Sequence, residues 1–363
     1  MTRAAQIWSA CSPPLTLMKA CVLHGARDLI LTDLPDPAPG AGEVLVRLGA
    51  GGICGSDLHY FAEGGAGDFR LREPMTLGHE GAGEVVKVGP EVRNVKPGDR
   101  VAVNPNHPCG HCRPCQAGRR NLCQNVRFFG SAARFPHVQG LFAEFFVAAA
   151  ENCFPVPERV SARAAACAEP LAVALHAVAQ AGSLQGKQVF ITGSGPIGVL
   201  VAAAARHAGA TRICVTDLLD EPLVIARAMG ATETVNVKTQ SDRLAAFEAD
   251  RGVFDVSFEA SGHPAGLTSA LQFTMPGGTV VQVGMMPRGD SPVSMNRIVA
   301  KELNLIGTFR FDREYATAVA ALVAGEIDVT PMLTHEFTFA EAGEAFAMAA
   351  DKRRAMKVSL RPA

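Results

Sequence analysis

The chain has 363 residues, 48% of them hydrophobic and 19% charged, with 36 glycines and a net charge of −1. That length is generous for one hydrophobic core and predicts two domains of an α/β enzyme. The near-neutral balance gives no electrostatic ground for a nucleic-acid or anionic-membrane partner. The longest apolar stretches, such as VLVAAAARHAGA, are broken by Arg206 and His207 before they could span a bilayer.

Residues 1–17, MTRAAQIWSACSPPLTL, lack the continuous apolar run of a signal peptide, and Pro13–Pro14 would break a helix. They are expected to be a disordered tail or to follow from a misplaced start, since Met18 opens a strand–turn–strand pattern, MKACVLHGARDLILTDLP. Without a secretion signal the expected compartment is the cytoplasm, where thiols stay reduced. From there to residue 105, short alternating stretches (EVLVRLGAGGI, GAGEVVKVG, DRVAV) and the turn KPGD predict a small, mostly β, barrel-like domain.

Two stretches of this part carry donors for a metal. GGICGSDLHY contains Cys54, and TLGHEGAGEV contains His79, with Glu80 beside it and Glu169 further on as rival carboxylates for a third ligand. Three protein ligands leave a zinc ion an open position for water or substrate. Singly, a cysteine before glycine reads as a small buried hydrophobe and a lone histidine as a structural group; it is their combination with the motifs below that carries weight. CGHCRPCQAGRRNLC then places Cys109, Cys112, Cys115 and Cys123 at the spacing C-x2-C-x2-C-x7-C. In a reducing compartment that spacing reads as a tetrahedral Zn2+ knuckle rather than a disulfide framework, with an iron–sulfur cluster as the competitor. Four thiolates saturate the ion, so this site is structural and any chemistry lies elsewhere.

After about residue 155 strands alternate with helices. QVFITG is a strand, PIGVLVAAAARHAG a helix and RICVTD the next strand; FDVSFEA, GTVVQVG and LNLIGTF continue, separated by helices such as EPLVIARAMG. The succession predicts a parallel, doubly wound sheet. GSGPIG falls between its first strand and first helix, the setting in which a GxGxxG turn binds a dinucleotide. Gly193 makes the tight turn, Gly195 lets the backbone approach a pyrophosphate, and Gly198 lets helix and strand pack closely. The helix N-terminus faces the phosphates with its positive dipole end. Asp217 closes the second strand, 19 residues beyond Gly198, where a carboxylate suits ribose hydroxyls and repels a 2′-phosphate. NAD is therefore favoured over NADP. The final stretch, from EYATAVAALVAGEI onward, reads as helical and as a return to the first domain.

Taken together, GGICGSDLHY, LGHEGAGEVVKVG, the four-cysteine lobe, AEPLAVALHA, GSGPIG and GTFRF resemble the zinc-containing medium-chain dehydrogenases over essentially residues 18–361. Within that family the chain is similar to the sorbitol (polyol) dehydrogenase branch, and RFFGSAARFPHVQG and FDVSFEASGHP to its sugar-acid-oxidising members. The resemblance implies a GroES-like, mostly β catalytic domain (18–165, with the zinc lobe at 106–125), a Rossmann domain (166–308) and a return to the catalytic domain (309–363). It implies two Zn2+ per chain and NAD, with NADP left open, and a small sugar acid or polyol oxidised at a secondary hydroxyl. No nucleic acid or membrane is implied as a partner, and a homo-oligomer, dimer or tetramer, is.

Residue by residue, the resemblance makes Cys54 and His79 catalytic-zinc ligands, with Glu80 and Glu169 dividing direct coordination and support between them. Ser56 receives the hydroxyl proton, and His59, close by, is a candidate for the proton path. Tyr60 and Arg310 match positions that touch a polyol substrate in the family. Gly193, Gly195, Pro196, Ile197, Gly198 and Asp217 match cofactor positions, with Val283, Gly284, Met285 and Phe309 near the nicotinamide. An aldonate also needs its carboxylate recognised, for which Arg310, Arg127 and Arg134 are candidates. Phe311 stands where sorbitol dehydrogenases carry Tyr, predicting a lost hydroxyl contact, and Pro222 stands where many carry Arg. His176 is expected to pack inside its helix. A non-catalytic relative, the competing reading, would have lost zinc ligands, and here all are present.

Overall fold

The computed structural model describes residues 16–363. The expected tail therefore lies outside the described residues as far as position 15. Its last two residues belong to the fold: strand Leu17–Gly25 begins one residue before Met18, and the Thr16 carbonyl accepts the Asp36 N–H at 3.0 Å.

Leu17–Gly25 pairs with Asp28–Pro35 as a hairpin that also takes on Met75–Thr76. Beside it lies a seven-stranded sheet in the order Cys153–Pro155, Arg100–Val103, Glu80–Val88, Glu43–Gly52, Lys357–Arg361, Leu333–Thr338, with Phe145–Ala149 on Glu43–Gly52 as well. Inward positions of these strands alternate as an antiparallel sheet with one buried face requires. Val44, Val46, Leu48, Val101 and Val103 meet Leu141, Phe142 and Phe346 in one apolar cluster.

The second sheet is six-stranded and parallel, in the order Glu233–Asn236, Arg212–Asp217, Gln188–Thr192, Phe254–Glu259, Thr274–Gln282, Asn304–Gly307. The chain moves outward from Gln188–Thr192 in one direction and then, after Glu233–Asn236, in the other. The strand order thus reverses beside Gln188–Thr192, the point at which open α/β sheets bind ligands. Helices Ala168–Ala181, Pro196–His207 and Glu314–Ala324 share a core with Val189, Ile191 and Val215. Alanine dominates their facing surfaces, with Ala172, Ala174, Ala202, Ala204, Ala205, Ala318 and Ala321 almost inaccessible, so the helices approach closely without large side chains.

The C-terminal stretch departs from its all-helical expectation. Leu333–Thr338 and Lys357–Arg361 are parallel strands joined through helix Ala342–Ala350, and Ser359 pairs with Gly52. The last strand therefore enters the first sheet between its predecessor and Glu43–Gly52, far away in sequence. Short strands such as KVSLR carry little local signal, whereas the helix AGEAFAMAA between them is conspicuous. No described helix is long and apolar enough to cross a membrane.

Candidate metal and nucleotide site

Sheet register assembles the first site. Glu43–Gly52 and Glu80–Val88 are antiparallel neighbours with Gly52 opposite Glu80, so Cys54 leaves one strand where His79 enters the other. Donor atoms of Cys54, His79 and Glu80 all lie within 4.8 Å of one another. Gly52 is required here: a Cβ on it would run into the Glu80 carboxylate.

Asp57, which the sequence reading passed over, fixes this corner. It is fully buried at the third position of helix Gly55–Glu63, whose N-cap is Cys54. One carboxylate oxygen accepts the Cys54 N–H at 2.9 Å; the other accepts the Gly78 N–H at 3.2 Å and lies 3.8 Å from His79 Nδ1. Such a partner sets which ring nitrogen of a ligating histidine is free for the metal. Lys357 was also missed. Its Nζ donates to both Glu80 oxygens at 2.8 Å and reaches the Ile53 carbonyl at 3.3 Å, with both side chains of the ion pair almost wholly buried. Nothing local marks it, because Lys357 and Glu80 meet only through the final strand.

Burial pushes the Cys54 thiol up to about 12, with the Glu80 charge adding to it. Burial likewise pushes Glu169 up to about 8, against the pull of His79 and helped by Glu80 and Cys54. The set of one thiolate, one imidazole and a carboxylate suits catalytic zinc. Glu169 stands at the start of helix Ala168–Ala181 and faces the cluster, although it lies outside the group of closely spaced donors.

The four-cysteine lobe also fits a metal. Cys109, Cys112, Cys115 and Cys123 gather, with Cys112 Sγ 3.5 Å from Cys115 Sγ and 3.8 Å from Cys123 Sγ. Backbone N–H groups of Cys109 and Asn125 donate to Cys123 Sγ at 3.2 and 3.3 Å, and the His111 N–H holds the Cys109 thiol down at about 6. Donors aimed at sulfur favour thiolates, the form that binds Zn2+.

Of the other expected site residues, Ser56 sits half-buried two positions after Cys54, whereas His59 is exposed and faces Glu63 at 3.6 Å. The Tyr60 hydroxyl is buried and accepts the Ala132 N–H at 3.0 Å. Arg310 comes into the site through Phe128: its guanidinium carbon lies 4.0 Å from the centre of that ring, which in turn lies 5.4 Å from His79. Arg310 Nη1 is buried and has no hydrogen-bond partner, and burial lowers the group's pKa against the pull of Glu169. The other two arginines do not join it. Arg127 is exposed, and Arg134 is spent on Gln124, Asn125 and Val126 of the lobe. Phe311 corrects an expectation: it is fully buried against Tyr315, ring centres 5.6 Å apart, so its side chain faces the core and no substrate contact hangs on its missing hydroxyl. His176 is buried as expected, but in a polar setting, 3.1 Å from Glu314.

At the reversal of the parallel sheet the glycine turn is built as its spacing predicts. Gly193 has φ +86°, and a Cβ there would press on Ser261; a Cβ on Gly198 would overlap the Gly193 carbonyl oxygen, whereas one on Gly195 would meet only open space. Pro196 and Ile197 open the helix behind it. Asp217 takes the Ser194 N–H at 2.7 Å and the Leu218 and Leu219 N–H groups at 2.7 and 3.1 Å, which fixes its carboxylate beside the turn. Glu259, another residue the sequence did not signal, is fully buried and accepts from Thr192, the N–H groups of Ser261 and Gly262, and Gln282. It ties three strand ends together and supports Val283, Gly284 and Met285; Met285 and Phe309 are exposed. Pro222 is buried in the first turn of helix Asp220–Ala228.

The comparisons with known proteins agree with this construction. The model of the alcohol dehydrogenase GroES-like domain matches residues 40–158, and that of the zinc-binding dehydrogenases residues 196–324. L-idonate 5-dehydrogenase (NAD(P)(+)) of Escherichia coli is 42% identical over 94% of this chain and 98% of its own length. The chain belongs to the zinc-binding alcohol dehydrogenases. Sorbitol dehydrogenase of Bacillus subtilis is 37% identical, covering 95% of this chain and 97% of the relative. The crystal structure of L-idonate 5-dehydrogenase from Escherichia coli superposes with a TM-score of 0.91 at 42% identity, over 95% of this chain and 98% of that one. The protein is accordingly an NAD(P)-dependent oxidoreductase of the zinc-containing medium-chain class, within the range of idonate and sorbitol dehydrogenases.

Proposed function

We propose that the enzyme oxidises a secondary hydroxyl of a sugar acid, L-idonate to 5-keto-D-gluconate, rather than a neutral polyol. The observation that carries this reading is Arg310: a guanidinium beside the Cys54–His79 corner with a buried nitrogen that no protein group satisfies. An unpaired buried cation is costly, and a carboxylate in the substrate would relieve it with charge-assisted hydrogen bonds. A polyol hydroxyl can accept from the same nitrogen but brings no countercharge, so the acid is the better fit.

Cys54, His79 and Glu80 are the residues that would hold the catalytic metal, with Lys357 balancing Glu80 and Glu169 supporting the open side. When bound, Zn2+ supplies Lewis acidity that makes a secondary hydroxyl acidic near neutral pH, and NAD(P)+ supplies the hydride acceptor. The chain's own residues orient and move the proton. Ser56, two residues from Cys54, receives the hydroxyl proton and passes it outward. Asp57 keeps the His79 ring in place, and Arg310 and the Val283–Met285 segment would orient the carbinol carbon toward a bound nicotinamide, which would supply the hydride acceptor. Gly193, Gly195, Gly198 and Asp217 seat the dinucleotide. Cys109, Cys112, Cys115 and Cys123 hold a second, structural Zn2+.

The same reading divides the chain at about residues 165 and 308, places it in the cytoplasm, in keeping with nine free cysteines among the described residues, and makes it a homo-oligomer. Edge strand Asn304–Gly307, with exposed Leu305, Val299 and Met295 around it, supports the last point. Turnover of L-idonate, 5-keto-D-gluconate, D-gluconate, sorbitol and xylitol with both cofactors tests the substrate. L-idonate and its ketone are expected to lead; sorbitol far ahead of idonate would overturn the assignment and leave the family untouched.

A further inference from the structure

We propose that Asn121 and Arg120, in the four-cysteine lobe, are positioning residues for Arg310, so that the lobe sets selectivity for an anionic substrate. The inference rests on the reading of Arg310 as the carboxylate partner. Arg310 has φ +53°, a left-handed conformation that is uncommon for a residue with a side chain and is favoured here by contacts around it. These contacts come from both sides of the turn. Asn121 Nδ2 donates to the Phe309 carbonyl at 2.9 Å, immediately before Arg310. Arg120 donates to Asp312, two residues after it, from Nε at 2.7 Å and from its backbone N–H at 3.3 Å.

A polar ring closes around these tethers. Asp312 N–H donates to one oxygen of Glu314 at 2.8 Å, and the other oxygen lies 3.1 Å from His176 Nδ1. His176 Nε2 lies 3.3 Å from Asn121 Nδ2. With Nδ1–H donating to Glu314, Nε2 is left to accept from Asn121, so one histidine tautomer serves the whole ring. On the core side the turn is held by Phe311, fully buried against Tyr315; toward the lobe it is held by hydrogen bonds. A cavity of about 380 Å³, lined by Gly118, Leu122, Gln180 and Thr308 among others, separates the lobe from the turn and from helix Ala168–Ala181. Across that gap the hydrogen bonds are the connection. The charged ends of the ring (Arg120 and Asp312) are exposed and nearly buried respectively, which puts the anchor at Asp312.

The test uses zinc-loaded protein and two variants, Asn121→Leu, which keeps the volume and removes the donor, and Arg120→Gln on the exposed side of the lobe. Kinetic constants are measured for L-idonate and for sorbitol, together with zinc content. Both variants are expected to raise KM for L-idonate roughly tenfold, as a displaced positioning group does, with kcat and the sorbitol constants changed by less than about twofold. A merely structural role would lower turnover of both substrates together, and equal loss or no loss in Arg120→Gln overturns the proposal. Should Asn121→Leu lose zinc, Arg120→Gln decides alone. Arg310→Gln separates the two layers. If it affects acid and polyol alike, the anion reading has failed; if it singles out the acid while the lobe variants do not, only the lobe's part has failed.

Discussion

Replacing Lys357 by methionine removes the countercharge of Glu80 while keeping most of the side chain's volume. In the folded protein the two groups share a bidentate contact at 2.8 Å with 4% and 1% of their side chains accessible, so Glu80 would be left charged and buried. Burial alone would depress Lys357, yet the charge of Glu80 raises it, the mark of a pair that depends on both members. Breaking such a pair from one side costs about 3–5 kcal/mol. At roughly 2–4 °C per kcal/mol for a domain of this size, that is a fall of about 6–20 °C in unfolding temperature. A zinc ion on Cys54, His79 and Glu80 supplies a second countercharge, so the fall is expected to shrink when zinc is present. The assay is thermal unfolding of the wild type and Lys357→Met, with and without zinc; the lobe's own metal contributes to both chains and cancels in the difference. Adding Glu80→Gln to Lys357→Met should restore most of the loss, since no charge then remains to be paired. An equal loss in both metal states would refute the placement of Glu80 against the metal.

Two further outcomes follow from the same geometry. Because burial holds the Cys54 thiol at about 12, metal-free protein carries that proton throughout the neutral range, and zinc must displace it. In protein whose four-cysteine lobe is already loaded, binding at Cys54 is expected to release about one proton, so affinity rises with pH below that value, and a weakly buffered titration with an indicator dye reads the release. Glu169, held at about 8, adds a second proton below that pH where the metal draws it into its charged form; binding with no proton release would contradict both statements. Gly198→Ala places a methyl group into the Gly193 carbonyl. Overpacking of about 1–3 kcal/mol should weaken dinucleotide binding roughly five- to a hundred-and-fiftyfold, measured by fluorescence titration with NADH, and an unchanged affinity would remove the turn from the site.

What the sequence disclosed was local. The cysteine knuckle closes within fifteen positions, and the glycine turn lies between a strand and a helix that each have their own periodicity, so both could be read from spacing. Cys54 and His79 could be paired because each sits beside a conspicuous strand. Lys357 and Glu80 could not, since a lysine opening the strand KVSLR looks solvated until that strand is placed between two others. Asp57 and Glu259 hid for a different reason: each works by accepting backbone N–H groups, and a carboxylate's partners of that kind leave no mark in the side-chain pattern. The sequence GSD, with the acid at the third position of a helix whose first half-turn holds the ligand, was the available signal for Asp57. Arg310 could be singled out from the motif GTFRF, but its left-handed backbone and its tethers to the lobe exist only in three dimensions.

The account stands most directly on zinc content measured beside turnover in Cys54→Ser. Intact protein is expected to hold two zinc ions per chain, and the variant one, still folded around Cys109, Cys112, Cys115 and Cys123 but without measurable oxidation of any alcohol. Full activity in a variant that has lost the ion at Cys54 and His79 would contradict the mechanism at its root.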